Sequence, residues 1–247
     1  MWTDVIDMNA FYRSRLGQIA CRILRHKVRE IWPDAHGQTI VGLGYATPFL
    51  KQFNAEAERV VAAMPAHMGV THWPRGKPSK VVLAYDESLP FPDNSVDKLL
   101  LAHSIENTEH LRQLMREAWR ILAGNGKMVI IVPSRRGFWA KWDRTPFGGG
   151  RPYSKGQVHT LMRDTQFEPG LHTRALYMPP FKSNYLVHTS PAWERIGRKW
   201  FPQMGGVMLI EATKQVYAAA TPLRTVKRKL VIVPSAVGAS RKTTVND

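Results

Sequence analysis

Two glycines, Gly42 and Gly44, are the first residues in the sequence whose type and spacing could support chemistry. They end an apolar segment that begins at Thr39 and precedes Pro48. A glycine lets the backbone turn tightly and approach a ligand without a Cβ in the way, and the N-terminus of a following helix presents free N–H groups. The segment 39–48 therefore predicts a cradle for a nucleotide cofactor, although glycines with this spacing also occur at strand ends that bind nothing.

Histidines and acids gather after a second apolar segment, residues 96–102. Imidazoles and carboxylates bind divalent metals, so a site built from His103, Glu106, Glu109 and His110 can be imagined. It is the weaker interpretation, because His110 lies well past the strand end and nothing else indicates a reaction that activates water. We therefore expect no metal.

The motifs and the cysteine content exclude several other kinds of site. The sequence has neither a Gly-x-Ser-x-Gly elbow nor a Gly-Lys-Ser/Thr phosphate loop. Cys21 is the single cysteine, so an intrachain disulfide or a thiolate-rich zinc site cannot form, and a reducing compartment is expected. Its position in an amphipathic segment favours a role in packing.

Hydrophobic periodicity predicts the elements that would position these residues. Apolar runs predict strands over residues 39–43, 59–64, 80–85, 96–102 and 128–132, with later β segments over 168–178 and 206–217. Helical spacing predicts a helix over residues 4–32, another from an Asn107 or Thr108 cap to Leu122, and a third from Ser154 to about Asp164. Thr47 is expected to cap the helix that begins at Pro48. Residues 66–79, rich in Pro, Gly and His, predict an irregular crossover.

This alternation of strands and crossovers predicts an α/β fold with a doubly wound, mostly parallel sheet. We expect one domain over residues 1–220, in which residues 1–36 form an N-terminal helical extension. Residues 221–247 are expected to form a basic, poorly ordered tail, because six Lys and Arg stand against one acid. Acids near the N-terminus and the absence of a run long enough to cross a bilayer predict a cytoplasmic protein without a leader or a membrane span.

Basic residues dominate the chain, and their distribution suggests contact with a polyanion. There are 35 Lys and Arg against 19 Asp and Glu, a formal net charge of +16, which favours RNA or acidic surfaces through long-range attraction. Residues 134–153 form a predicted basic-aromatic loop, either a substrate lid or RNA-gripping surface or a loop whose tryptophans pack on the domain. The residues that would contact acceptor or RNA are Arg135, Arg136, Trp139, Trp142 and Arg144.

Four segments together carry a resemblance to a known family. They are Val41-Gly-Leu-Gly-Tyr-Ala46, Tyr85-Asp-Glu-Ser-Leu-Pro-Phe-Pro-Asp-Asn-Ser-Val-Asp97, Ala102-His-Ser-Ile-Glu106 and Leu114-Met-Arg-Glu-Ala-Trp-Arg-Ile-Leu122. In these residues the chain resembles the class I S-adenosylmethionine-dependent methyltransferases, especially the methyltransferase 11 group, over about residues 38–133. The resemblance implies a Rossmann-like sheet of about seven strands in the order 3-2-1-4-5-7-6, with the late β segments as the final hairpin.

The resemblance also implies S-adenosylmethionine as the cofactor and a role for particular residues. Gly42, Leu43 and Gly44 would lie beside its methionine part, and Asp86 would accept a hydrogen bond from the adenine amino group, with Glu87 next to it. His103 would point towards the sulfonium and the acceptor, as a general base or a positioning group; a hydrogen-bonded strand-end histidine is the alternative.

Two positions depart from the pattern of the family. Gly42 stands where an acid usually precedes the glycines, and Met64 ends the second strand where a carboxylate usually holds the ribose hydroxyls. Losing that carboxylate would weaken cofactor binding roughly tenfold to a hundredfold. The sequence thus predicts methyl transfer to an acceptor such as RNA or an anionic small molecule. The alternative is a weak or inactive methyltransferase fold that binds RNA or a protein partner.

Overall fold

A computed structural model describes residues 4–180 and 190–215, which form a seven-stranded sheet in the order β3-β2-β1-β4-β5-β7-β6. This order confirms the predicted Rossmann-like topology. The strands are β1 (Thr39–Gly44), β2 (Arg59–Pro65), β3 (Val81–Ala84), β4 (Val96–Ala102), β5 (Leu122–Pro133), β6 (Phe167–Ala175) and β7 (Val207–Lys214). The tail predicted over residues 221–247 lies outside the described residues.

The first five strands run parallel, and the last two close the sheet as an antiparallel pair. β1 lies between β2 and β4, with Gly42 opposite Ala62 on one side and Leu100 on the other. β7 is antiparallel to both β5 and β6. The direction of strand addition reverses between β1 and β4, and open parallel sheets bind ligands at the carboxyl ends of the strands beside such a reversal.

Helices cover both faces of the sheet. They are α1 (Val5–Arg13), α2 (Arg15–Ile31), α3 (Thr47–Leu50), α4 (Leu111–Ile121), α5 (Lys155–Asp164) and α6 (Ser190–Trp200). One apolar core contains side chains from α1, α2 and α3, such as Met8, Leu24 and Phe49. The second core, on the opposite face, contains side chains from α4 and α5, such as Leu114 and Val158.

The N-terminal segment forms two helices rather than the single helix predicted over residues 4–32. The break is at Ser14, whose side chain accepts a hydrogen bond from the Gly17 backbone N–H at 3.1 Å and so caps α2. Gly17 lies directly against the end of α1, where an added Cβ would collide with the Phe11 carbonyl oxygen. The turn lets α1 leave the axis of α2 and cross the edge of the sheet.

Several predicted boundaries are confirmed and two are wrong. Ser154 caps α5 in a capping box with Gln157, and no described helix falls between β2 and β3, as the crossover prediction requires. Thr47, however, is the first residue of α3 and follows an Ala46 cap. α4 begins at Leu111 after His110, because the Thr108 hydroxyl accepts from the His110 N–H and keeps the preceding residues in a turn.

Candidate functional site

The two glycines of β1 are explained by packing within the chain. An added Cβ on Gly42 would lie 2.6 Å from the Cβ of Ala46 and 2.7 Å from Leu50, so this glycine lets α3 pack on the strand. Gly44 has a φ of +78° and would meet the Ala102 carbonyl oxygen, so it brings the turn against the end of β4. The two glycines allow close packing at the carboxyl ends of β1 and β4, but they give no independent sign of a bound ligand.

A cavity of about 480 Å³ opens where β2, β3 and β4 end. Asp86 and Glu87 line it after β3, together with His67 after β2 and Asn107 after β4. Glu87 forms an ion pair of 2.9 Å with His110 when that histidine is protonated. Met64, in contrast, is fully buried in the core. The cavity therefore has carboxylates at the β3 end and no carboxylate at the end of β2.

Beside this cavity lies a buried group that we call the β4 cluster: His103, Ser104 and Glu106. All three are at most 3% exposed. His103 Nδ1, Ser104 Oγ and both carboxylate oxygens of Glu106 have no hydrogen-bond partner. His103 also has a φ of 52°, a left-handed conformation that costs about 1–2 kcal/mol in residues other than glycine. Strain and unsatisfied buried groups of this kind concentrate at functional sites.

Tyr12 of α1 holds the imidazole of His103 in place. Its hydroxyl lies 2.6 Å from His103 Nε2, and burial raises the pKa of the phenol well above its usual value, so Tyr12 stays protonated and donates its O–H. We assign the ring proton to Nδ1, which faces the Glu106 carboxylate, so that Nε2 accepts from the Tyr12 O–H. Nδ1 faces Glu106 Oε1 at 3.4 Å, which is long for a hydrogen bond but suits a donor facing a carboxylate.

α1 and the loop after β5 cover this edge of the sheet. The Val5 backbone N–H donates to the Met68 carbonyl beyond β2 at 2.9 Å, whereas Tyr12 stacks on Tyr45 beyond β1 with ring centroids 5.7 Å apart. From the loop, Phe147 lies 4.7 Å from the His103 ring. The β4 cluster is thus enclosed by aromatic side chains from three separate segments.

Of the five loop residues predicted to contact an acceptor or RNA, four are exposed and one is buried. Arg135, Arg136, Trp142 and Arg144 are exposed. Trp139 is fully buried and donates its indole N–H to the Met178 carbonyl at 2.6 Å. Its ring packs on Phe147, so the prediction that Trp139 presents a stacking surface is wrong, because the ring completes the core instead.

The residues at this edge fit a cofactor that carries hydrogen-bond donors and a positive charge. The carboxylates of Asp86 and Glu87 are acceptors within one cavity, and the unpartnered oxygens of Ser104 and Glu106 are acceptors next to it. S-adenosylmethionine offers an amino group at its adenine, hydroxyls at its ribose and a cationic sulfonium. The donor and acceptor chemistry therefore matches, with the end of β2 as the weak point.

Sequence reasoning missed Tyr12 and Ser104, and it considered Glu106 only as a metal ligand. Tyr12 lies on the apolar face of its helix, where its hydroxyl alone could have signalled a buried polar partner. Glu106 follows an almost wholly apolar segment, which is an unusual place for a charge. Within residues 4–180 and 190–215, no group of three or more His, Cys, Asp or Glu is arranged to hold a metal.

Comparison with known sequences gives a consistent result. A family described as "Methyltransferase domain" matches residues 28–130. The uncharacterised protein YafS of Escherichia coli K12 is 31% identical over 204 residues, which cover 80% of this chain and 81% of YafS. In the part of the chain that the structure describes, no helix is long and apolar enough to cross a membrane.

Solved structures share the fold at low sequence identity. One is a methyltransferase dependent on S-adenosylmethionine, a possible histamine N-methyltransferase, from Thermotoga maritima, with a TM-score of 0.61, 17% identity, and coverage of 85% of this chain and 96% of that one. Another is a putative methyltransferase of Haloferax volcanii in complex with the Trm112 activator, with a TM-score of 0.57, 16% identity, and coverage of 85% and 97%.

Proposed function

The chain belongs to the class I S-adenosylmethionine-dependent methyltransferases, and from that premise we propose that it transfers a methyl group to an acceptor at the β4 cluster. The observation that carries the proposal is the set of unpartnered polar atoms in that cluster, beside the point where strand order reverses. Buried polar groups normally have partners, so the set calls for a ligand. A buried carboxylate there disfavours the anionic small-molecule acceptor that the sequence suggested.

The residues around the cavity have separable roles in holding the cofactor. Asp86 accepts a hydrogen bond from the adenine amino group, and Glu87 lies beside it. Gly42, Leu43 and Gly44 form the turn beside its methionine part, and Met64, buried in the core at the end of β2, offers no hydrogen bond to its ribose. When bound, the cofactor supplies an electrophilic methyl carbon. Orientation of donor and acceptor then provides most of the acceleration, and His103 lies next to the reacting groups.

Calorimetry with S-adenosylhomocysteine tests the proposal directly. We expect binding in the micromolar to millimolar range, because the ribose carboxylate is missing, and about a tenfold loss in Asp86→Ala from one charged hydrogen bond. Asp164→Ala, at the exposed end of α5, is the matched control and should bind as the wild type does. No heat and no thermal shift at millimolar ligand would reject cofactor binding.

A second candidate function is RNA binding with little or no turnover. The observation that favours it is a groove of about 520 Å³ between α2 and α6, which is lined by several cations. Among them Arg22, Arg195 and Arg198 are exposed. Methyl transfer to any cellular fraction that is lost in Asp86→Ala would reject a purely binding role.

A further inference from the structure

The β4 cluster has more buried acceptor atoms than donors, and this imbalance defines what its ligand must provide. Three of the four unpartnered atoms, Ser104 Oγ and both Glu106 oxygens, can accept hydrogen bonds. A buried carboxylate is expensive when the donor that faces it, here His103 Nδ1, lies 3.4 Å away and no hydrogen bond forms. A phosphate or carboxylate ligand would add a second negative charge to the same place. A ligand with several N–H donors and a positive charge would satisfy it.

The walls around His103 favour the same kind of ligand. Tyr12 lies 5.8 Å and Phe147 4.7 Å from the imidazole, ring centroid to ring centroid, and Phe11 packs edge-on against Phe147. Aromatic faces attract cations, by about 0.5–2 kcal/mol each. The Asn107 side chain donates to the His103 carbonyl and also lines the 480 Å³ cavity, so the cluster adjoins open space.

From this geometry we propose that the methyl acceptor is a primary amine, which Glu106 binds as an ammonium group and then deprotonates. The inference rests on the methyl transfer proposed above and names its acceptor. Glu106 is the catalytic base, because neither of its buried carboxylate oxygens has a hydrogen-bond partner. His103 is a positioning residue, since Tyr12 occupies its Nε2 and its Nδ1 proton faces Glu106. Ser104 accepts a second N–H of the ligand.

The proton and electrons balance in this step. One N–H proton of the ammonium moves to a Glu106 oxygen, which leaves a nitrogen lone pair and a neutral carboxylic acid. A neutral pair is favoured over an ion pair where water is excluded. The lone pair forms the new N–C bond as the S–C bond to the methyl group breaks and its electrons return to sulfur. The product leaves as a methylated ammonium, and Glu106 returns its proton to solvent.

Matched amines and alcohols test the proposal on the full chain saturated with S-adenosylhomocysteine. The probes are butylamine and phenethylamine, each compared by calorimetry with 1-butanol or 2-phenylethanol. We expect at least one amine to bind tenfold or more tightly than its alcohol. Glu106→Gln should remove that preference. Glu168→Gln removes an exposed acid of β6 instead and should retain it.

Tyr12→Phe tests the positioning role with a readout that a merely structural change would not move. Without the phenol, His103 should no longer be fixed as the Nδ1–H tautomer, which ¹⁵N NMR of the imidazole reports. With an amine that is turned over, kcat should fall at least threefold while KM stays within twofold. An unchanged tautomer would overturn this role of Tyr12.

The outcomes separate the two proposals. If S-adenosylhomocysteine binds but neither amine is preferred over its alcohol, or the preference survives in Glu106→Gln, the amine assignment is wrong and methyl transfer to another acceptor stands. If S-adenosylhomocysteine does not bind at all, the methyltransferase proposal fails first. Circular dichroism of Glu106→Gln shows whether the variant is folded, and Ser104→Ala, expected to weaken amine binding at least threefold, gives a second test that keeps the carboxylate.

Discussion

Glu106 illustrates how a residue kept for a ligand can cost the fold stability. Its side chain is about 1% exposed, and neither carboxylate oxygen has a hydrogen-bond partner. Breaking or omitting the partner of a buried charge is destabilising, whereas replacing the charge by a neutral group of similar shape is often neutral or favourable. We therefore expect Glu106→Gln to raise the free energy of unfolding by about 1 kcal/mol in the absence of ligands.

Urea denaturation measures this change, with Glu168→Gln as the control. Glu168 is exposed, and substitutions at such positions usually stay within about 0.5 kcal/mol of the wild type. A drop of more than about 1 kcal/mol in Glu106→Gln would mean that the carboxylate stabilises the fold. Glu106 would then be a structural residue rather than one kept for a ligand.

His172 of β6 makes stability depend on pH. Burial, and then the nearby Lys155 and Arg174, lower its pKa from the usual 6.5 to about 4. The unfolded chain therefore binds more protons between these two values, so stability falls as the pH drops from 6.5 towards 4. The shift alone corresponds to roughly 3 kcal/mol, but the ring is only half-buried, and solvent screening reduces the expected loss to about 1 kcal/mol.

His172→Gln should flatten the stability profile between pH 7 and 4, measured by thermal unfolding at constant ionic strength. His36 changes stability with pH in the opposite direction, because the Asp34 carboxylate raises its pKa. Its contribution to stability is present at low pH and is lost as the pH rises. His36→Gln should therefore leave the acid-side decline in place. An unchanged slope in His172→Gln would assign the decline to other groups.

At the scale of elements, the crossing of α1 and α2 decides where Tyr12 lies. Gly17 makes the close approach possible, since an added Cβ would collide with the Phe11 carbonyl oxygen and lie 2.9 Å from the Cα of Tyr12. Gly17→Ala should lower the free energy of unfolding by about 1–3 kcal/mol, the usual cost of overpacking. It should also weaken the hydrogen bond from Tyr12 to His103, which NMR of the imidazole detects.

Gly156 in α5 is the matched control, because it is also helical and an added Cβ there meets nothing within 4 Å. Gly156→Ala should raise stability by up to about 1 kcal/mol through helix propensity alone. Equal effects of the two substitutions in chemical denaturation would show that the crossing of the helices tolerates a side chain, and α1 would not be fixed over the sheet edge as described.

The elements predicted best from the sequence are those that contain a long uninterrupted apolar run. β4 was predicted over residues 96–102 and has those bounds, because residues 99–102 form an uninterrupted apolar run, as expected where both faces of a strand are covered. The break at Ser14 was missed, since α1 and α2 keep one helical pattern across it. The contact of Tyr12 with His103 joins residues 91 positions apart, and no local pattern encodes such a pairing. The site was therefore predictable as an edge of the sheet, but not as a set of contacts.

At the scale of the whole molecule, the net charge of +16 does not act uniformly, because some of the cations are already paired. On α2, Arg29 bonds Glu56 and the Gln52 carbonyl, and Arg25 bonds the Pro48 carbonyl. These two arginines hold α2 against α3 and the segment that follows it. The cations left for a polyanion include Arg22 and the arginines of α6, which line the 520 Å³ groove. The exposed arginines of this groove form one basic surface where phosphates could bind.

A comparison of two double variants separates that groove from net charge. Arg195→Gln/Arg198→Gln removes two charges from the groove, and Arg112→Gln/Arg116→Gln removes two exposed charges from α4. We expect a fluorescent 20-nucleotide poly-uridine RNA to bind the first variant at least tenfold more weakly. The slope of log affinity against log salt concentration should also fall by about 1.4, or about 0.7 for each phosphate that the protein no longer neutralises.

The α4 variant should keep the wild-type slope in the same anisotropy titration. Equal losses of affinity in both variants would show that the RNA responds to the overall charge, and the groove between α2 and α6 would then have no specific role in binding it.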